Sequence, residues 1–164
     1  MQGTIVQIST SPGGLPKRPV SGGFLAPLGI EGDRHAHPGI HGGVRKAILL
    51  IAAEVVEELQ ARGYPVFFGA LGENLTTRGI DVRQLRIGDR LRAGGALLEI
   101  TQPRGPCSAM DIYGPTIKQE VYDRRVKALD HTSPRWGMSG FYLSVVDPGP
   151  VSTGDIIAVV AQLA

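Results

Sequence analysis

The chain carries a single cysteine among its 164 residues. No internal disulfide can form, and a reducing cytosol is the compartment expected for it. No apolar run approaches the roughly 20 residues of a membrane-spanning helix. The opening stretch MQGTIVQIST has neither the basic segment nor the apolar run of a secretory leader. Charge of one sign is also scarce. The net charge of +2 is too small to argue for nucleic acid or a membrane surface as a partner. Aromatic residues make up 5% of the chain, whereas 23 glycines and 12 prolines favour many turns and short strands over a helical bundle. There is no internal repeat, low-complexity segment or linker, so one domain over residues 1–164 is expected, long enough to bury a core.

Periodicity predicts strands near residues 3–10, 47–52, 90–93, 96–102, 140–146 and 155–160, and helices near 53–62 and 115–129. Phe24 to Ile30 is a weaker strand candidate. In the first helix Val55, Val56 and Leu59 form the apolar stripe, and Gly63 closes it. Asp81 is placed to cap a short turn ending at Leu85. Gly94-Gly95 stands where a two-residue hairpin turn belongs. Pro115 suits the first turn of the second helix, with Ile117, Val121, Tyr122, Val126 and Leu129 as its apolar face. Leu15-Pro16-Lys17-Arg18-Pro19-Val20 reads as an extended surface segment, with Lys17 and Arg18 as a solvated pair or an anion contact.

The chemistry-bearing stretch is Thr101-Gln102-Pro103-Arg104-Gly105-Pro106-Cys107. A strand feeds into it, and two prolines with a glycine fix the path of the loop. A cation held near a thiol favours the thiolate, which is the form that attacks and binds metals. A buried packing role for Cys107 is the competing reading, because free cysteines are often core residues. His35, His37 and His41 lie together, and a metal site is one reading of them. No cysteine or carboxylate follows at zinc-finger spacing, so the other reading is an oxyanion loop. There Gly42-Gly43 lets backbone N–H groups approach a ligand and Arg45 and Lys46 add positive charge. Glu73 and Asn74, between Gly72 and Leu75, face a pocket or bond local backbone.

Taken in order, these segments resemble the MOSC (molybdenum-cofactor sulfurase C-terminal) domain family over nearly the whole chain. Gly14-Leu15-Pro16-Lys17 is similar to its entry loop. Gly32-Asp33-Arg34 and His41-Gly42-Gly43 are similar to its paired glycine motifs. Gly72-Glu73-Asn74-Leu75-Thr76, Ile87-Gly88-Asp89, the segment ending at Cys107, and Gly140-Phe141-Tyr142 match later motifs. Two departures stand out: Val44-Arg45 where the family often has Pro-Asp, and His35 where it often has Gln.

The resemblance implies a mainly β fold, a mostly antiparallel β-barrel with a few peripheral helices. It implies a molybdenum-cofactor (molybdopterin) protein whose Cys107 ligates molybdenum, and a reductase of N-hydroxylated compounds in the cytoplasm. Cys107 is then both the catalytic residue and the metal ligand, while His41, Gly42, Gly43, Arg45, Lys46, Glu73, Asn74, Thr76 and Arg104 hold the cofactor or substrate. No flavin, haem or iron–sulfur motif is visible, so electrons come from an external donor protein. Two other readings stand beside it: a sulfur carrier with a persulfide on Cys107, and a non-catalytic binder that stores or delivers the pterin cofactor.

Overall fold

The computed structural model describes residues 1–34 and 42–161. Eleven strands are assigned among them: β1 Gln2–Thr10, β2 Arg18–Val20, β3 Gly22–Ala26, β4 Gly29–Ile30, β5 Ile48–Ala52, β6 Leu75–Arg78, β7 Arg90–Ala93, β8 Ala96–Pro103, β9 Phe141–Asp147, β10 Gly149–Ser152 and β11 Ile156–Ala161. Three α-helices accompany them: α1 Ala53–Ala61, α2 Ile117–Val121 and α3 Arg124–Lys127.

Seven strands close into a barrel in the order β11-β7-β8-β9-β5-β6-β1, with β1 pairing back to β11 and β2 added along the far end of β1. All neighbours are antiparallel except β5 and β6. Antiparallel neighbours need only short turns, and Gly94-Gly95 supplies one between β7 and β8, as the sequence predicts. The parallel pair needs a crossover, and α1 with the following loop provides it. The mainly β, mostly antiparallel barrel expected from the resemblance is the observed architecture. Phe24 to Ile30 makes the β3–β4 hairpin, which joins β10 in a small second sheet.

The core follows from alternation and from continuous runs. Ile5, Ile8, Leu50, Leu75, Leu91, Leu98, Ile100, Leu143 and Ile157 are buried in one cluster. All five residues of β5 are buried, because the strand lies inside the ring with α1 beyond it. Val55, Val56 and Leu59 are buried in α1, as their spacing predicts, together with Ala53. Among the described residues no helix is long and apolar enough to cross a membrane.

Two expectations need correction. The helix predicted over 115–129 is two short helices. Tyr122 is extended at φ −152°, and the Asp123 carboxylate accepts the Val126 N–H at 2.9 Å, starting a new helix instead of continuing the old one. Lys17, read as part of a solvated pair, is buried at 4% exposure and bonded to Asp33. Arg18, its neighbour, is exposed and lies over the Phe67 ring at 5.2 Å.

Candidate functional site

The site is built at the end of β8. The β8–β9 register steps from Ile100 opposite Leu143 to Gln102 opposite Tyr142, so Thr101 is the extra residue of a bulge. Its Oγ1 lies 2.6 Å from the Arg45 carbonyl oxygen and 3.1 Å from that of Tyr142. The bulge therefore fastens the short 3-10 turn Val44–Lys46 beside the strand end. Lys46 stands over the Tyr142 ring, 5.4 Å from its centre. Gly43, at φ 95°, starts this turn and its carbonyl accepts the Lys46 N–H.

Past Pro103 the chain turns inward with Arg104. The backbone N–H of Arg104 donates to the Gly140 carbonyl at 2.8 Å. Its Nε donates to the Ser139 carbonyl at 2.9 Å and meets Ser139 Oγ at 3.2 Å. Gly140 itself is pressed against β5: at φ 91° a Cβ there would lie 2.6 Å from the Leu50 carbonyl oxygen. Arg104 is only 4% exposed, yet its Nη2 is buried with no partner among the described residues. No described carboxylate forms an ion pair with it. Burial pulls the guanidinium pKa down, while Tyr142, Glu73 and Cys107 act in the opposite direction as its electrostatic neighbours. An arginine still stays charged, so this is a buried cation with a donor to spare.

Glu73 is fully buried and is an electrostatic neighbour of Arg104. Its Oε1 accepts the Leu71 N–H at 3.2 Å and its Oε2 accepts Thr76 Oγ1 at 3.4 Å. Burial pushes this carboxyl up, against backbone N–H groups and the Arg104 charge. Asn74 is also buried, but its amide is occupied within the chain. Oδ1 accepts the Leu49 N–H at 3.1 Å, and Nδ2 donates to Asp33 Oδ2 at 2.8 Å and to the Ser9 carbonyl at 3.3 Å. Both amide hydrogens are therefore spent on β1 and Asp33, while the amide oxygen holds β5.

Cys107 is partly exposed and opens a 3-10 turn, Ser108–Tyr113. Its carbonyl accepts the Met110 N–H at 3.2 Å, which fixes the backbone under the sulfur. The turn ends at Tyr113, whose Oη is buried and unpartnered. Tyr113 packs edge-on against Phe67 at 6.3 Å between ring centres. Burial raises its phenol pKa, with the Glu73 charge adding to the effect. A groove of about 380 Å³ runs past Phe67, lined by Gln7, Arg18, Pro19, Gln60 and Phe68.

Arg104 thus has Glu73 and Cys107 as electrostatic neighbours, and Thr101 ties the Arg45 backbone to the end of β8. Thr76 reaches the site through Glu73. Gly42 leads into the Val44–Lys46 turn. His35, His37 and His41 fall outside the described residues, and among the described residues no cluster of three metal-binding side chains occurs. Sequence reasoning missed Ser139, Tyr142 and Tyr113. The first two follow Arg104 only through the β8–β9 pairing, which strand periodicity does not reveal. The six-residue interval from Cys107 to Tyr113 is the sole trace of the third.

The chain is similar to several known proteins. YiiM of Escherichia coli (strain K12) is 30% identical over 148 residues, which is 85% of this chain and 60% of that protein. YflK of Bacillus subtilis (strain 168), an uncharacterized protein, is 34% identical over 145 residues, 86% of this chain and 60% of that one. The chain therefore spans about three-fifths of the length of these curated relatives. A Gibberella moniliformis protein named as a reductase is 30% identical over 144 residues, covering 85% of this chain and 24% of that one. The crystal structure of YiiM from Geobacillus stearothermophilus superposes with a TM-score of 0.72 at 28% identity, over 98% of this chain and 76% of its own. The MOSC domain model matches residues 37–158, and with that span containing the bulge, the buried arginine and the cysteine turn, the chain belongs to the MOSC domain family.

Proposed function

We propose that this protein binds the molybdenum cofactor and acts as a molybdenum-dependent oxidoreductase of N-hydroxylated compounds in the cytoplasm, with Cys107 as the thiolate ligand of the metal. The observation that carries the reading is a partly exposed sulfur within electrostatic reach of a buried arginine whose Nη2 has no partner. The donor set fits such a group. A cysteine sulfur is a soft ligand suited to a metal also held by dithiolene sulfurs. The Arg104 guanidinium, with Arg45 and Lys46, would supply positive charge for the cofactor's phosphate. When bound, the cofactor supplies the electron chemistry, replenished by an external donor protein.

The chain's own residues perform the rest. Cys107 anchors the metal on a turn fixed by its own carbonyl bond. Arg104 orients an oxygen through a donor that folding leaves unused. Thr76 bonds Glu73 in the interior, Gly42 and Gly43 lead to Arg45, His41 is a further cofactor contact in this reading, and Asn74 holds the frame on which Glu73 sits.

Metal and mass analysis of gently purified, anaerobically handled protein tests the reading. One molybdenum and one pterin per chain, lost in Cys107→Ser with the fold intact, is the expected result. A mass gain of one sulfur at Cys107, with no molybdenum, replaces this reading with a persulfide carrier. Pterin that stays bound at full occupancy in Cys107→Ser points to a storage or delivery protein.

A further inference from the structure

A second cleft, of about 410 Å³, lies between α1 and the short turn Val82–Gln84, and neither Arg104 nor Cys107 lines it. Its floor is apolar and buried, made by Val55, Ile80, Val82 and Met138. Its rim is charged: Glu54, Asp81 and Arg83 are exposed there, and Glu58 is half-buried. Bonds within the chain fix the walls. Glu54 Oε1 accepts the Gly79 N–H at 2.9 Å and ties α1 to one side. The Trp136 indole N–H donates to the Leu85 carbonyl at 2.8 Å, and a Cβ on Gly137 would lie 2.9 Å from the Val82 Cβ. The segment that carries Met138 is therefore seated against the Val82–Gln84 turn. The cleft is built before any ligand arrives, and an apolar floor with a few polar groups is the usual form of a small-molecule site.

The charges select the ligand. Glu58 is paired with Arg62 at 2.8 Å, and Arg78, an electrostatic neighbour of Glu54, is paired with Glu57. Glu54, Asp81 and Arg83 form no ion pair among the described residues. Two carboxylates against one guanidinium leave the rim with one net negative charge. No three metal-binding side chains stand together among the described residues. Carboxylates spread around an apolar floor suit an organic cation better than a metal ion. We propose that this cleft binds a small organic ammonium carried on an apolar or aromatic body. The body covers Val55, Ile80 and Met138, and the ammonium lies at Glu54 and Asp81, with Arg83 opposing it. The site does not rest on the cofactor reading above.

The experiment uses the full chain. Equilibrium dialysis counts bound 2-phenylethylammonium at constant ionic strength, with 2-phenylethanol and 3-phenylpropionate as neutral and anionic counterparts. The chain's single tryptophan, Trp136, is buried and bonded to the wall of the cleft, so its emission reports occupancy. Saturable binding of the ammonium with a matching change in emission is expected, with weaker binding of the alcohol and none of the acid. Arg83→Glu should tighten the ammonium about threefold and Glu54→Gln should weaken it about threefold, the size of one solvent-screened ion pair. Gln keeps the oxygen that accepts the Gly79 N–H, and a gain in Arg83→Glu does not arise from a damaged fold. No saturable binding of the ammonium overturns the site. Binding that neither substitution shifts lies elsewhere and overturns it too, and equal binding of the alcohol overturns the assignment to a cation.

Discussion

The Lys17 ammonium lies 2.7 Å and 2.9 Å from the two carboxylate oxygens of Asp33, and both side chains are almost wholly out of water. The same carboxylate accepts the Ser11 N–H at 2.9 Å and the Asn74 amide at 2.8 Å. Three donor groups thus make four hydrogen bonds to one buried acid.

Removing the cation alone should therefore be costly. Lys17→Met strands a buried carboxylate, and a loss of about 3–5 kcal/mol is expected. Lys17→Met with Asp33→Asn should lose less than the sum of the single changes, because the charge leaves with its partner. Urea unfolding of the four proteins measures the coupling. Strict additivity would mean that the pair contributes nothing jointly.

Glu73 makes stability depend on pH. Burial raises its pKa in the folded chain above its unfolded value, which is about 4.3. Between the two values the folded chain holds the proton and the unfolded chain does not. Stability is therefore greatest below the unfolded pKa and falls as pH rises through the folded one. Glu73→Gln should lack this decline. Unfolding free energies across that range, wild type against variant, decide it, and parallel profiles would exclude a raised Glu73.

Arg104→Ala should weaken cofactor retention by roughly 1.5–3 kcal/mol, the loss of a charge-assisted hydrogen bond. Arg104→Lys should recover only part, since an ammonium lacks the fork that reaches both Ser139 and the inner space. Pterin content after dialysis is the measurement, and an unchanged content in Arg104→Ala would remove Arg104 from the binding set.

Leu129 sits at φ 62°, just past the end of α3, and is 53% exposed. A glycine adopts that conformation without the Cβ clash, and little burial is lost. Leu129→Gly should stabilise the protein by about 1 kcal/mol. Thermal unfolding checks it; a lower midpoint would mean that the leucine makes a contact worth more than the strain.

The barrel was legible because its strands are short, apolar and separated by glycine turns, and because Ala47 to Ala52 can only be an interior strand. The split of the second helix was not, because the stripe through Ile117, Val121 and Val126 keeps its period across Asp123. The capping bond that restarts the chain there is a local event that a hydrophobic pattern does not register. Lys17 was misread for a related reason: its partner Asp33 is 16 positions away, and spacing alone cannot bury a charge. Cys107 and Arg104 stood out together because they share one loop. Tyr113 was invisible because what distinguishes it is an unmet hydrogen bond, a property of the packed molecule.

The ring closes through the pairing of Gln2 with Ala158, Gly3 with Ile157 and Thr4 with Ile156. During synthesis β1 therefore waits for β11. Until residues 156–161 leave the ribosome, β1 and β7 each keep an open edge. The barrel thus closes only after β11 is made, and a nascent chain stalled before that point exposes two strand edges to its neighbours on the same message.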